Sequence, residues 1–197
     1  MWPAYLWSIR DKDGIYLTFD DGPIPEVTPW VMDQLDRTQA KATFFCIGKN
    51  VQRNPDIFQE LIERGHSVGN HTFSHLNGRR TQLEHYLQDT VTAQAEIDQH
   101  HQVDKRLFRP PYGRIRKKQA MRLKALGYQI VMWDLLSGDF DPKQDVEFCW
   151  DQVKKNLAPG SIVVMHDSHK ARKKLEYILP RTLEHIANKG WKCRAIG

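Results

Sequence analysis

The sequence predicts an α/β fold in which parallel strands build a distorted, TIM-like (β/α)7-8 barrel. Short apolar runs alternate with segments of helical period along nearly all of the 197 residues, as βα units around a parallel sheet do. Glycines at positions 65, 127, 160 and 190 each end a helical pattern just before an apolar run. No glycine-rich phosphate loop follows the first strand, which favours a small closed or nearly closed barrel over an open dinucleotide-binding sheet.

The elements follow one another in a regular order. Short apolar runs predict strands at residues 15–19, 42–47, 67–69, 107–108, 128–133, 161–165 and 191–196. Apolar side chains near helical spacing predict helices at residues 26–37, 54–65, 82–101, 115–126, 146–157 and 175–188. No linker or internal repeat interrupts the alternation, so we expect one domain, residues 1–197, with its motifs within residues 15–170.

The first strand ends at two adjacent carboxylates. The apolar run 15–19 is followed by Asp20 and Asp21, and a Gly-Pro pair then turns the chain. Neighbouring side chains on an extended segment point in opposite directions, so we expect the two acids to have different partners and roles. Taken alone, paired acids at this place are also typical of a turn or a helix cap.

Composition excludes several classes of protein. The 40% hydrophobic and 27% charged residues are ordinary for a soluble protein, and no apolar run approaches the ~18 residues of a membrane span. The first residues show no signal peptide, which favours the cytoplasm by default, or the cell envelope if the N-terminus is trimmed or acts as an anchor. Leu6, Trp7 and Ile9 are expected to pack over the barrel, with the remains of an anchor as the alternative.

Charge and cysteine content point away from other partners. The net charge of +5 is spread out, and the basic clusters at 114–118 and 170–174 are interpreted as solvated helix starts. Aromatic residues do not interleave with them, which argues against nucleic acid and leaves an acidic cell-wall polymer or polysaccharide as the better partner. The three scattered cysteines indicate neither a disulfide framework nor a zinc knuckle.

Ionisable residues gather directly after the predicted strands. They are Asp20, Asp21, His71, His75, Arg109, Asp134, Asp139, His166 and Asp167. In a parallel barrel the strand-to-helix loops share the C-terminal face, where active sites lie. Chance clustering of polar loop residues would not select one end of the barrel, so this asymmetry predicts an active site.

A metal site can be assembled from these residues. His71 and His75 are four positions apart, a spacing that places both imidazoles on one side of a helical turn. With one carboxylate from the first strand they make a two-histidine, one-carboxylate set that leaves positions open for water and substrate. The alternative is a pair of surface or helix-capping histidines.

Hydrolysis at such a metal needs a base and an acid. One of Asp20 and Asp21 would take a proton from water, and the residues by themselves leave open which of the two it is. His166 would protonate the leaving group, because an imidazole titrates near neutrality. Arg109 would keep the basic carboxylate ionised, although the segment 109–113 is also typical of a rigid turn with a surface charge.

Five short motifs stand in a fixed order along the chain. They are Thr18-Phe-Asp-Asp-Gly22, His71-Thr-Phe-Ser-His75, Arg109-Pro-Pro-Tyr112, Leu136-Ser-Gly-Asp139-Phe140 and Val164-Met-His166. In this order the chain resembles the polysaccharide deacetylases, carbohydrate esterase family four. That family carries T-F-D-D-G, H-[ST]-x-x-H, R-x-P-[YW], D-x-x-D-W and L-x-H. Three motifs match outright and two are degenerate.

The resemblance implies a cofactor and its ligands. A divalent metal, usually zinc, with Co²⁺, Mn²⁺ or Ni²⁺ as alternatives, would be held by Asp21, His71 and His75. The resemblance also separates the two acids of the first strand, because it makes Asp20 the catalytic base.

The resemblance further implies roles for four other residues. His166 would be the acid, Arg109 would position the base, and Asp139 would tune His166. The backbone N–H of Tyr112 would help the metal to stabilise the tetrahedral oxyanion.

Substrate contacts are implied by the last two motifs. Val164 and Met165 would lie near the pocket for the acetyl methyl group, and Phe140 would form a wall of the groove. Leu136 stands where the family often has an acid, Phe140 where it has Trp, and Val164 where it has Leu. These departures bear on substrate preference, while Asp139 keeps the acid that tunes His166.

The sequence therefore predicts a metal-dependent deacetylase acting on an acetylated polysaccharide or oligosaccharide such as peptidoglycan, chitin or xylan. N-acetyl groups are favoured over O-acetyl groups. The alternatives are a hydrolase of a linear amide or cyclic ureide that is not a sugar, and a carbohydrate-binding protein with little turnover. The sequence leaves the oligomeric state open.

Overall fold

The structure, a computed structural model, describes residues 5–102 and 105–197. The strands in these ranges are β1 (Gly14–Asp20), β2 (Thr43–Cys46), β3 (Ser67–Asn70), β4 (Arg106–Phe108), β5 (Tyr128–Ile130), β6 (Leu135–Leu136), β7 (Ile162–His166) and β8 (Lys192–Cys193). The helices are α1 (Thr28–Arg37), α2 (Gly48–Arg53), α3 (Pro55–Glu63), α4 (Leu83–His100), α5 (Lys117–Ala125), α6 (Val146–Asn156) and α7 (Arg172–Asn188).

The strands form one curled parallel sheet, which confirms the predicted fold class. Its order is β5-β4-β3-β2-β1-β7-β6, and β8 pairs with the start of β1. β1 is an interior strand, with β2 on one side and β7 on the other. The register places Asp20 opposite Phe45 of β2 and opposite His166 of β7. The C-terminal ends of three neighbouring strands therefore lie side by side at one end of the sheet.

Two elements were not predicted from the sequence. β6 has only two residues and lies where the sequence predicted the loop after the fifth strand. α2 follows β2 almost directly, in a segment predicted as a loop, and buries only Gly48 and Val51. Neither element carries an apolar repeat long enough to be recognised in the sequence. Contacts with distant parts of the chain fix each of them instead.

Both faces of β1 are buried, which explains its continuous apolar run. Ile15, Leu17 and Phe19 face the helices and belong to the larger core, where Phe19 stacks on Phe44 with ring centroids 5.0 Å apart. Tyr16, on the alternate face, belongs to a smaller apolar cluster that fills the barrel interior. By the same alternation Thr18 and Asp20 also face the interior.

The sheet does not pair β5 with β6, and the N-terminal segment lies across this opening. Leu6 N–H donates to the Ile130 carbonyl at 2.9 Å, and the Leu6 carbonyl accepts from Met132 N–H at 2.7 Å. Ile9 N–H donates to the Gly160 carbonyl at 2.9 Å. Leu6 and Ile9 pack on the interior cluster as expected, whereas Trp7 is 51% exposed.

No helix within the described ranges is both long enough and apolar enough to cross a bilayer.

Gly160 offers a test of how closely the N-terminal segment is held. Its φ is +89°, and a Cβ atom there would lie 2.1 Å from the Ile9 carbonyl oxygen. Gly127 has a similar φ of +85° but open space around it, so it is the matched control. We expect Gly127→Ala to cost about 1–2 kcal/mol of unfolding free energy and Gly160→Ala about 2 kcal/mol more. Urea unfolding measures both, and equal losses would contradict the close approach.

Candidate active site

The strand-to-helix loops surround a cavity of about 770 Å³. Asp20, Asp21, His71, His75 and His166 all line it, although they come from three strands that are distant in sequence. The structure thus brings these predicted residues to one end of the barrel. Arg109 and Asp139 lie directly behind them, fully or almost fully buried.

Asp20 forms an ion pair with Arg109 beneath the cavity. Arg109 Nη1 lies 2.7 Å from Asp20 Oδ1 and 2.6 Å from Thr18 Oγ1. Its other guanidinium nitrogens donate to the carbonyls of Val131 and Met132 at 3.4 and 3.0 Å. Every nitrogen of this buried cation therefore has an acceptor, which a buried charge requires.

The environment keeps Asp20 ionised. Burial acts to raise the pKa of its carboxyl group, but Arg109 and the imidazoles of His71 and His166 outweigh this effect. The net result is a pKa below the usual range, so Asp20 is a carboxylate at neutral pH. Because Oδ1 is bound to Arg109, the second oxygen is the one available to the cavity.

Asp21, His71 and His75 converge on one point. Asp21 Oδ1 lies 3.3 Å from His75 Nε2 and 3.9 Å from His71 Nε2, and one donor atom from each residue lies within 4.8 Å of the others. Two zinc ligands at ~2.1 Å bonds and tetrahedral angles are roughly 3.4 Å apart, so the set has the right size for one ion.

Two further observations show that these residues fit a divalent cation. Asp21 Oδ1 is buried and makes no hydrogen bond, which leaves it free for a cation. Burial lowers the pKa of His71 to about 4, so its imidazole is neutral, as a ligand must be. His71 Nδ1 lies 2.8 Å from the Arg109 carbonyl, an arrangement that directs Nε2 toward Asp21.

The backbone conformation at this site differs from what the sequence predicted. Asp21 has a φ of 86°, which ends the strand and turns its carboxylate back, so both acids lie 3.9 Å from His71 Nε2. The prediction that the Asp20 and Asp21 side chains point in opposite directions is therefore wrong. His71 and His75 lie on a loop, not on a helical turn, with Thr72 at φ 62° and His75 at φ 56°. Such left-handed residues often occur at functional sites.

Side chains from the helices hold these strained loops. Asn50 of α2 donates from Nδ2 to the Asp21 carbonyl at 2.7 Å. Asp89 of α4 accepts from the N–H groups of Phe73 and Ser74, at 2.9 and 3.0 Å, between the two histidines. The unpredicted helix α2 thus fixes the backbone of the first motif.

His166 and Asp139 form a second pair across the cavity. His166 Nδ1 lies 2.8 Å from Asp139 Oδ1, and His166 N–H donates to Asp139 Oδ2 at 2.7 Å. Burial acts to lower the pKa of His166, but the Asp139 carboxylate outweighs it and raises that pKa to about 9. His166 is therefore a cation at neutral pH, and Nε2 is the ring nitrogen left for a proton transfer.

The predicted substrate contacts separate into two groups. Tyr112, Phe140 and Val164 line the cavity. Tyr112 packs over His75 with ring centroids 4.6 Å apart, and Phe140 packs against His166 at 5.0 Å. The prediction that Met165 lies near the pocket is wrong, because Met165 is fully buried in the core on the helix side of β7. Neighbouring strand residues face opposite ways, so Val164 at the cavity places Met165 away from it.

Two contributing residues were given no role from the sequence. Asp167 accepts from Gly22 N–H at 3.0 Å and from Thr28 Oγ1 at 2.6 Å, and so holds the turn after the first motif. Burial raises the pKa of Asp167 to about 8. Its place directly after His166 put it among the ionisable residues at this end of the barrel, but the sequence did not indicate what it binds. Trp133 also lines the cavity and was predicted only as part of a strand.

Comparison with known proteins gives a consistent result. The polysaccharide deacetylase family profile matches residues 8–131. The chain is 35% identical to a peptidoglycan-N-acetylglucosamine deacetylase of Bacillus cereus, covering 94% of this chain and 88% of that protein. It is 34% identical to a chitooligosaccharide deacetylase of Azorhizobium caulinodans, covering 80% and 75%. Other relatives are longer, and the chain spans 60% of a second Bacillus cereus deacetylase.

The fold is also shared with solved structures. A peptidoglycan N-acetylglucosamine deacetylase in complex with an N-oxidanyl-benzamide superposes with a TM-score of 0.91 at 27% identity. The superposition covers 98% of this chain and 90% of that one.

Asp167 provides a test of the support beneath the first motif. Asp167→Ala removes both hydrogen bonds and leaves the Gly22 N–H unpaired, so we expect a loss of roughly 2–3 kcal/mol of unfolding free energy. Asp167→Asn is the matched control, because an amide can accept from Gly22 and donate to Thr28. Urea unfolding measures both variants. Equal losses would show that the two hydrogen bonds do not hold this turn.

Proposed function

Because the chain belongs to the polysaccharide deacetylase family, and is thus a carbohydrate deacetylase, we propose that it removes N-acetyl groups from N-acetylglucosamine units of a polysaccharide or oligosaccharide. The observation that carries this proposal is the arrangement of one cavity. A buried carboxylate–arginine pair, a three-ligand set and a histidine–carboxylate pair all meet there. We further propose that residues 1–197 act as a single deacetylase domain.

Asp21, His71 and His75 would hold the divalent cation, for which zinc is our proposal. When bound, the cation would polarise the acetyl carbonyl and lower the pKa of water beside it.

Asp20 is proposed as the general base. Arg109 keeps it ionised and fixes one of its oxygens, so the other can accept a proton from the attacking water. Water then adds to the carbonyl carbon of the acetyl group.

His166 is proposed as the general acid. Its raised pKa keeps it protonated at neutral pH, and Asp139 fixes the ring so that Nε2 is the donor. As the C–N bond breaks, this proton passes to the sugar nitrogen, which leaves acetate and a free amine as products.

The remaining contacts would orient the acetyl group. The backbone N–H of Tyr112, a residue with a left-handed φ of 60°, is proposed to donate to the developing oxyanion. Val164 would contact the acetyl methyl group, while Phe140 and Leu136 would give the sugar an apolar wall. The cavity volume of about 770 Å³ supports an oligosaccharide over a small cyclic ureide.

Asp20→Asn tests the base. We expect kcat on an N-acetylglucosamine oligomer to fall by a factor of about 10²–10⁴, because the side-chain amide of asparagine cannot accept the proton from water. Acetate release measures kcat, and elemental analysis should still find one metal ion per chain. Asp33→Asn, on the surface of α1, is the matched control. Wild-type turnover in the Asp20→Asn variant would show that Asp20 is not the base.

Asp21→Ala and His71→Ala test the ligand set. Each removes one of three ligands, so we expect elemental analysis to find the metal lost or greatly reduced after dialysis. His169→Ala, an exposed histidine outside this set, is the control and should keep its metal. Full metal occupancy in both ligand variants would contradict the site.

Asp139→Asn tests the tuning of His166. The acid must be protonated, so kcat/KM should decline as the pH rises through the pKa of His166, about 9. Without the carboxylate this pKa falls, and the decline should move to lower pH. Asp151→Asn, on the exposed face of α6, is the control. An unchanged alkaline limb in Asp139→Asn would mean that His166 does not set it.

A further inference from the structure

One part of the cavity rim carries arginines that the mechanism does not use. Arg79, Arg80 and Arg114 line the cavity with exposed side chains. We propose that these three residues form an anion subsite, which binds a carboxylate of an acidic glycan beside the sugar that is deacetylated. The inference rests on the proposed function, because it names the class of glycan that the same cavity takes.

Backbone contacts hold the two loops of the anion subsite together. Arg79 and Arg80 lie in a 3-10 turn, Gly78–Arg80, after β3, and Arg114 lies in the loop after β4. Gly78 N–H donates to the Arg114 carbonyl at 3.0 Å, and a Cβ atom on Gly78 would lie 2.5 Å from that oxygen. The Arg116 guanidinium donates to the Arg79 carbonyl at 2.6 and 3.2 Å.

A side chain also ties the turn to α5. Gln119 donates from Nε2 to the carbonyls of Gly78 and Thr81, at 2.9 and 3.1 Å. The backbone that presents the three arginines is therefore fixed from two sides. Preorganised charges bind an anion with less loss of entropy than charges on a mobile loop.

No carboxylate neutralises these cations. Among residues 5–102 and 105–197, none lies within 4.0 Å of a guanidinium nitrogen of Arg79, Arg80 or Arg114. Arg64, by contrast, binds Asp33, Asp36 and Glu60. Arg172 and Arg194 also have carboxylate partners. The charge of the subsite is therefore available to a ligand.

The composition of the whole cavity favours an anionic ligand. Lys170, on the loop after β7, adds a fourth cation to the lining. The carboxylates in that lining are Asp20 and Asp21, both of which already have roles at the reacting centre. An acidic group of the substrate that lies away from the metal site would therefore meet only positive charge.

The opposite wall explains why the anion belongs to a glycan. Leu136 and Phe140 offer an apolar surface next to His166, suited to the hydrophobic face of a sugar ring. A guanidinium group binds a carboxylate with two parallel hydrogen bonds. Neutral chitin or xylan has no carboxylate to offer. The two walls together fit a glycan with a carboxylate near the acetylated sugar.

The test uses one acidic N-acetylated oligosaccharide in two forms, with its carboxylates free or methyl-esterified. The full chain, the double variant Arg79→Gln/Arg80→Gln and Arg114→Gln are compared by kcat/KM from acetate release. The control double variant Lys118→Gln/Arg122→Gln removes the same charge from exposed positions of α5. Calorimetric binding of both glycans, with Asp20→Asn added to every chain, gives a readout that does not need turnover.

We expect the wild-type chain to prefer the free acid, and the ratio of kcat/KM for acid over ester to fall roughly tenfold in the Arg79/Arg80 double variant. Arg114→Gln should lower it in the same direction, and the control should keep the wild-type ratio. Equal ratios in wild type and subsite variants, or equal falls in the control, would overturn the subsite while leaving the deacetylase proposal intact. If neither form is deacetylated, the binding ratios alone decide the subsite, and acetate release from an N-acetylglucosamine oligomer decides the proposed function.

Discussion

The buried ion pair between Asp20 and Arg109 is the constraint on which the active site depends. Arg109 is wholly buried at 0% exposure, and removing a guanidinium from water costs several kcal/mol. Asp20, Thr18, two carbonyl oxygens and the face of the Phe45 ring, 4.1 Å from the cation, offset that cost. Because apolar residues of similar volume would often stabilise a core equally well, so complete a polar environment points to function.

Arg109 also links the two halves of the chemistry. Its side chain fixes Asp20, while its carbonyl oxygen accepts from the His71 ring and so orients an imidazole of the proposed ligand set. On the other side of β1, the register places Asp20 opposite His166. Asp20 and His166, the proposed base and acid, are thus positioned by two neighbouring strands of one sheet, which are stiffer supports than loops. Where loops must contribute, Asn50, Asp89 and Asp167 hold their backbones.

The loops of the barrel shape its cavity. Asp20 and His166 lie at the ends of strands, but most of the cavity wall comes from β6 and from the segments that follow β3, β4, β6 and β7. In this chain those segments give one apolar wall, with Leu136 and Phe140, and one basic wall, with Arg79, Arg80 and Arg114. Fold alone therefore does not decide the substrate, since the specificity lies in side chains grafted on the fold.

The sequence by itself determined the parts that depend on local order. Apolar periodicity indicated the βα alternation, and the position of ionisable residues after strands indicated which end of the barrel carries the site. The tertiary structure decided what depends on distant partners. Asp20 and Arg109 are 89 residues apart, and no local pattern shows that they pair. The left-handed turn at Asp21 and the inward position of Val164 against the outward position of Met165 likewise arise only when the sheet curls. The same is true of the contact between Gly78 and Arg114, which joins the loops after β3 and β4.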